Sequence, residues 1–342
     1  MKAIVFARHG GPEVLDYKDV ADPGIKANEV LVRVRACALN HLDLWVRGGL
    51  PGVKISLPHI PGSDIAGEIA AVGELVTHVK AGERVLLAPG ISCGHCAACL
   101  AGQDSLCRQY TLFGYMVDGG CAEYVKSPAA NVIVIPEKVT FEEAAAVPLV
   151  FLTAWHMLVT RAALRPGEDV LVLGAGSGVG SAAIQIAKVM GAQVISTVGS
   201  EDKIEKARAL GSDEVIVHSK QDISAEVKRL TARRGVDVVF EHVGEATWAK
   251  SIASLVPGGR LVTCGATTGY DGRVDIRYLF SRQISLLGSF MGGKAELHEV
   301  LKLVWRGQLH AVIDRVLPLA ECRKAHELLE SRAQFGKIVL TP

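Results

Sequence analysis

An α/β chain of two domains is what these 342 residues predict: a largely antiparallel, barrel-like domain, then a doubly wound parallel sheet. Three observations carry this reading. Short apolar strands separated by Gly/Pro turns run from residue 1 to about 135. Beyond Ser127–Pro136, helices alternate with apolar strands. A glycine-rich turn, Gly174–Gly180, then joins one of those strands to a helix of small residues.

In chain order, Met1–Arg8 reads as a first strand. It is too soon charged again to be a signal peptide. Val30–Ala36, Ile65–Val72 and Arg84–Ala88 follow as strands, with a cysteine-rich lobe at about 90–110. The second domain supplies strands at Asp169–Leu173, Gln193–Thr197, Glu214–Val217, Val236–Glu241, Gly259–Cys264 and Ile284–Phe290, the count of a dinucleotide-binding sheet. A helix at Ala295–Val304 and a strand at Lys337–Thr341 close the chain, and terminal strands usually rejoin an existing sheet. The expected domains are therefore 1–135 with 292–342, and 136–291 between them.

Apolar residues are 49% and charged residues 21%, an ordinary globular balance. The formal net charge of +1 gives no reason to expect a nucleic-acid or membrane partner. Val170–Ala187 is weakly charged and nearly long enough to span a bilayer. Its four glycines in a strand-turn-helix pattern argue against that use. A cytoplasmic protein acting on a small molecule is expected.

Cys93, Cys96, Cys99 and Cys107, at spacings of two, two and seven intervening residues, can converge on one tetrahedral ion. Four thiolates suit one zinc ion per chain in a closed, structural site. Two disulfides, or four free thiols, would use the same residues, and His95 could replace one ligand. Zinc is favoured because the rest of the chain reads as intracellular. Cys37, Cys121, Cys264 and Cys322 lie in apolar surroundings and read as buried free thiols.

The turn Gly174-Ala175-Gly176-Ser177-Gly178-Val179-Gly180 follows the apolar strand Val170–Leu173 and opens a helix. Glycines there let the backbone approach a pyrophosphate, which rests on the partly positive helix N-terminus. About 20 residues on, where NAD-selective sites place an acidic residue, stands Val198, then Gly199 and Ser200. Ser200 and Lys203 could donate to a 2′-phosphate, which favours NADPH while leaving NADH open. Arg208 and His218 are further candidate contacts, although such residues are often merely solvated.

Together these features resemble the medium-chain dehydrogenase/reductase superfamily, which includes zinc alcohol dehydrogenases and quinone oxidoreductases. The markers are Gly62-Ser63-Asp64-Ile65-Ala66-Gly67, the four-cysteine lobe, the glycine turn, Asp202-Lys203 with Ala207, Leu210 and Gly211, and the closing Phe335–Leu340. The resemblance implies a GroES-like catalytic domain completed by the C-terminal segment. It also implies a Rossmann domain between, nicotinamide at their junction, and Lys337 among the cofactor contacts.

The positions that bind catalytic zinc in alcohol dehydrogenases are here Asn40, Ser63-Asp64 and Leu149, and the hydroxyl that relays the alcohol proton is Leu42. Asn40–Gly49 instead resembles the quinone oxidoreductase branch, with Trp45 in place of a tyrosine. Gly167–Lys188 follows that branch's cofactor signature, with Ser177 in place of a glycine. A reductase of quinones or activated alkenes and carbonyls, without catalytic zinc, is implied. Asn40 would orient substrate or nicotinamide ribose, Thr153 would contact the nicotinamide, and Ser63, Asp64 and Leu149 would complete the pocket. Asn40 could equally cap a local turn, and Asp43 would fix architecture. Two alternatives stay open: alcohol oxidation at a zinc improvised by Asp64 with His41 or His59, and a non-catalytic NADPH-binding protein. Relatives pair the last parallel strand across a two-fold axis, so a homodimer or homotetramer is expected through Ile284–Phe290.

Overall fold

The computed structural model describes residues 1–342, in two compact units: 1–149 with 293–298 and 310–342, and 150–292 with 299–309. In the first unit β1 (Lys2–Val5) pairs antiparallel with β2 (Asp16–Asp19). Strand β3 (Glu29–Ala38) alternates as a half-buried strand should, with Val30, Val32 and Val34 inward and Arg33 and Arg35 outward. It runs into α1 (His41–Gly48), whose Asp43 carboxylate accepts the Asn40 backbone N–H at 2.7 Å and so closes the first turn. Next come β4 (Asp64–Val72), β5 (Arg84–Leu87), β6 (Gly90–Ile91), the short α2 (Ala97–Leu100), β7 (Thr111–Leu112), β8 (Tyr124–Pro128) and β9 (Val132–Val134).

Helix α3 (Phe141–Ala145) begins at a reciprocal cap: Thr140 Oγ1 accepts the Glu143 N–H and Glu143 accepts the Thr140 N–H. It packs on β3 and β4. For that reason the first unit continues to Leu149, at the start of α4 (Pro148–Trp155), instead of ending at 135 as the sequence suggested.

The second unit is a six-stranded parallel sheet. Its elements are β10 (Asp169–Val172), α5 (Gly178–Val189), β11 (Gln193–Val198), α6 (Ile204–Ala209), β12 (Glu214–Val217), α7 (Ile223–Leu230), β13 (Val236–Glu241), α8 (Glu245–Ala253), β14 (Leu255–Thr263), α9 (Ile276–Ser281) and β15 (Ser285–Gly288). The order β12-β11-β10-β13-β14-β15 reverses direction between β10 and β13, the place where such sheets bind nucleotides. The central strands are near-continuous apolar runs, Val170–Leu173 and Val238–Phe240 among them, as helices on both faces require. The fifth strand starts earlier than the sequence suggested and the sixth stops at Gly288, short of Phe290.

After α10 (Lys294–Trp305) the chain returns to the first sheet through β16 (Ile313–Pro318), α11 (Cys322–Glu330) and β17 (Lys337–Thr341). That sheet is ordered β16-β17-β3-β4-β5-β9, with β8 also on β3. The terminal strand rejoins it as expected. Strand β16 is largely exposed and lacked an apolar signal in the sequence. No helix is long and apolar enough to cross a membrane.

Candidate functional site

Strand register assembles a buried polar cluster in the first unit. Strand β3 sets Ala38 opposite Asp64 on β4 and opposite Val339 on β17, so the residues just beyond meet in a row. The Lys337 ammonium donates to Asn40 Oδ1 at 2.5 Å and to Asp64 Oδ2 at 2.9 Å. Asn40 Nδ2 donates to the same Asp64 oxygen at 2.9 Å and to the Ala38 carbonyl at 3.4 Å. The other Asp64 oxygen accepts the Leu149 N–H at 2.8 Å. Relative exposures are 6% for Asn40, 0% for Asp64 and 3% for Lys337, so these charges are paired away from water.

Three of the expected site residues have their partners here. Asn40 does cap the turn, but its side-chain amide is already committed and is no loose donor. Ser63 is fully buried and its hydroxyl donates to the Phe113 carbonyl at 2.6 Å. Lys337, expected among the cofactor contacts, ends on Asn40 and Asp64. The improvised ligand set does not assemble either. The His59 ring lies 3.6 Å from Asp118 and packs edge-on to Phe6, while His41 packs on Trp45.

Asp43 supports the cluster from α1. Its two oxygens accept the Asn40 and Gly62 N–H groups, and burial pushes its pKa up to about 6 against those bonds and Lys337. Gly62 holds φ at +104°, and a Cβ there would fall 2.6 Å from Cys37 Sγ. Four residues after Asp43, buried Arg47 donates from Nε to the Gly10 carbonyl, pairs with Glu330 and meets His326 Nδ1 at 3.1 Å. Burial, then the Arg47 charge, pulls the His326 pKa down to about 3.

These two groups act on stability with opposite signs. His326 stays neutral in the fold, so the unfolded chain takes up a proton first, and its contribution is lost as pH falls from about 6.5 towards 3. Asp43 holds its proton in the fold to about 6, so its contribution is lost as pH rises from about 4 to 6. Asp43→Asn is therefore expected to make stability climb more steeply with pH between about 4 and 6, read by urea unfolding across that window. An unchanged slope would show that Asp43 titrates in the ordinary carboxylate range.

In the second unit the glycine turn lies at the end of β10, beside the point where strand order reverses. Ser177 is the N-cap of α5: its hydroxyl accepts the Gly180 N–H at 2.9 Å and donates to the Gly174 carbonyl at 2.8 Å. That explains a serine where the related signature has glycine. A Cβ on Gly180 would fall on the Gly174 carbonyl oxygen. Thr197 on β11 holds the turn: its Oγ1 accepts the Gly174 N–H at 2.9 Å. His242, at the end of β13, adds to it: its Nε2 lies 2.8 Å from the Leu173 carbonyl and 3.4 Å from Ser177 Oγ. Only the strand order reveals that β13 borders β10. These residues suit a dinucleotide: a close-packed turn, small side chains through Val179 and a helix N-terminus facing the switch point.

At the end of β11, Val198 is buried and Gly199 exposed. The Ser200 hydroxyl bonds Asp202, holding that carboxyl below its usual range, and Lys220 pairs with Glu201 at 2.8 Å. A Cβ on Gly199 would lie 3.6 Å from the exposed His218 ring, and Lys203 is half-buried in the same turn. Thr153 is buried in this unit and donates to Met291 Sδ at 3.6 Å.

The four lobe sulfurs lie within 4.8 Å of one another and form the only cluster of three or more His, Cys, Asp or Glu able to hold a metal ion. All eight cysteines are free thiols, and Cys264 is half-buried where full burial was expected. Backbone N–H groups of His95 and Cys96 pull the Cys93 pKa down to about 6, favouring the thiolate a metal needs. The His95 ring bonds the Cys93 carbonyl at 2.8 Å, away from the ligand set. An all-sulfur quartet of this size fits tetrahedral zinc. Buried Asp104, in the same lobe, accepts the Lys294 backbone N–H at 2.9 Å and so anchors the first turn of α10.

Comparison with known proteins agrees with this architecture. Residues 26–137 match the alcohol dehydrogenase GroES-like domain, and residues 178–306 match the zinc-binding dehydrogenase domain. An alcohol dehydrogenase of Geobacillus stearothermophilus is 34% identical over 99% of both chains. The quinone oxidoreductase of Homo sapiens is 31% identical over 99% of this chain and 97% of its own, and the acryloyl-coenzyme A reductase of Metallosphaera sedula is 34% identical over 100% of both. A solved NAD-dependent alcohol dehydrogenase superposes with a TM-score of 0.96 at 47% identity, covering 100% of each chain. With full-length similarity of this order joined to a parallel sheet carrying a glycine turn, the chain belongs to the medium-chain dehydrogenase/reductase superfamily and is an NAD(P)-dependent oxidoreductase.

Proposed function

We propose that this oxidoreductase passes hydride from NADPH to a quinone or an α,β-unsaturated carbonyl compound, with no metal ion at the reacting group and one zinc ion in the thiol lobe. The observation that carries the reading is the Lys337 ammonium lodged between Asn40 and Asp64. By the family resemblance, Asn40 and Asp64 stand, with Ser63 and Leu149, at positions that bind catalytic zinc in alcohol dehydrogenases. The donors present are an amide, a paired carboxylate, a hydroxyl turned to Phe113 and an alkyl side chain, without imidazole or thiolate. An unactivated alcohol would then have nothing to lower its pKa. Two relatives, the quinone oxidoreductase and the acryloyl-coenzyme A reductase, are named for conjugated acceptors, which supports the same class.

When bound, the dinucleotide supplies a hydride that a conjugated acceptor takes at carbon, moving the electron pair onto its own oxygen. The chain's part is to hold and exclude. Backbone N–H groups of the glycine turn would bind the pyrophosphate, with Ser177 and Thr197 fixing their direction. The Asn40–Asp64–Lys337 cluster forms a rigid polar wall whose atoms need not reorganise. Val198, which offers no carboxylate, together with Ser200, Lys203 and His218, supports the 2′-phosphorylated cofactor, although a similar solved enzyme is named for NAD. Pairing of copies is supported by edge strand β15 and by the exposed apolar residues Ile276 and Phe280 on α9 and Phe290 just after β15, 70%, 68% and 56% exposed. A cytoplasmic setting suits eight unpaired cysteines.

The test is kinetics with NADPH and NADH against a quinone, an enone and a primary alcohol, with zinc content and native size measured on the same sample. Expected are one zinc per chain, turnover of quinone or enone, NADPH preferred by at least about tenfold in kcat/KM, and a dimer or tetramer. Two zinc ions per chain, with brisk alcohol oxidation that chelation removes, would overturn the reading.

A further inference from the structure

We infer that Lys337 is a positioning residue: its ammonium is the resident cation of the Asn40–Asp64 cluster and balances and orients it, so the cluster takes up no divalent ion. The inference rests on the metal-free reading of the reacting centre and says what stands there instead. Both oxygens that face inward, Asn40 Oδ1 and Asp64 Oδ2, already accept from this one ammonium, and the remaining Asp64 oxygen accepts from Leu149 N. A divalent ion would have to displace a buried, covalently tethered charge. The tether is short, because β17 runs directly beside β3 and delivers Lys337 opposite Asn40.

The other titratable groups around the cluster are Asp43 on α1, Cys37 on β3 and Cys121 in the loop before β8. Lys337 lowers the Asp43 pKa while Asp64 raises it, so the three charges share one field. Cys37 and Cys121 stay protonated: hydrogen bonds from Cys121 and Cys322 respectively, then burial, push them well up. Lys337 is thus the sole positive charge in this set. Through it the Asn40 amide is held in one orientation.

Three variants test this in the zinc-loaded enzyme: Lys337→Met, Lys337→Arg, and Lys337→Met combined with Asp64→Asn. Thermal midpoints are compared at about pH 5.5 and about pH 8.5, together with kcat and KM for the better of quinone and enone and the number of cobalt equivalents bound. In Lys337→Met the lone carboxylate must shed its proton as pH rises, so its deficit against the parent is expected to widen by at least about 5 °C between the two conditions. Lys337→Arg keeps the charge, so its deficit should not change with pH. The double variant should lose the widening and still show a lowered kcat with KM for the dinucleotide unchanged. A deficit in Lys337→Met that is flat with pH, or parental kcat in that variant, overturns the inference. With no cobalt bound beside the lobe zinc, the proposed function survives that failure. Cobalt bound by the zinc-loaded parent and lost in the double variant instead overturns the metal-free reading itself.

Discussion

Gly180→Val is expected to raise the dissociation constant for the nicotinamide dinucleotide by at least about a hundredfold, near 2.8 kcal/mol, while leaving both sheets folded. Gly180 is the third residue of α5, and any Cβ there meets the Gly174 carbonyl oxygen and lies 2.8 Å from Ser177 Oγ. Ser177 Oγ is the atom that receives the Gly180 N–H, so the intrusion strikes the cap itself. Either the turn opens or the helix start moves. In both cases the N–H groups that would converge on a pyrophosphate lose their common direction. Quenching of protein fluorescence by the reduced dinucleotide measures the change. Binding within about threefold of the parent, under 1 kcal/mol, would show that the phosphates lie elsewhere.

The second large effect is on stability. Asp64→Ala is expected to cost the first unit about 3–5 kcal/mol, because it strands the Lys337 ammonium in a dry interior. It also leaves the Leu149 N–H without its acceptor and the Asn40 amide with only the Ala38 carbonyl at 3.4 Å. Trp45, on α1 and the only tryptophan of the first unit, gives a local fluorescence signal for urea unfolding of that unit. A loss below about 1 kcal/mol, the size seen for exposed ion pairs, would mean that water reaches the pair.

How far the sequence foretold this molecule depends on the range of the interaction. Elements set by local pattern were legible: the alternating residues of β3, the apolar run of β10 leading into its turn, and the closing strand. The four thiols were legible because their ligand geometry is written in short spacings. What escaped needed register across distant strands. Lys337 and Asn40 are 297 residues apart and meet only because β17 lies against β3, a pairing that periodicity cannot reveal. Ser63 had the same difficulty: its residue type suggested a pocket hydroxyl, and only packing shows it turned to Phe113. His242 and Thr197 depend on which strands flank β10. The boundary at 149 depends on α3, whose capping sequence was local but whose docking onto β3 and β4 was not.

The anchoring of Lys294 by Asp104 bears on how the protein must be made. Residues 1–149 are translated before the rest of this sequence and carry the lobe thiols, Asn40 and Asp64, yet they cannot finish their own unit. Asp104 receives its backbone partner 190 residues later, and Lys337 later still. An amino-terminal fragment would therefore hold Asp104 without its Lys294 backbone partner, Asp64 without its ammonium, and an open edge on β3. Completion of the first half to be synthesised is deferred until the whole nucleotide-binding half has been translated.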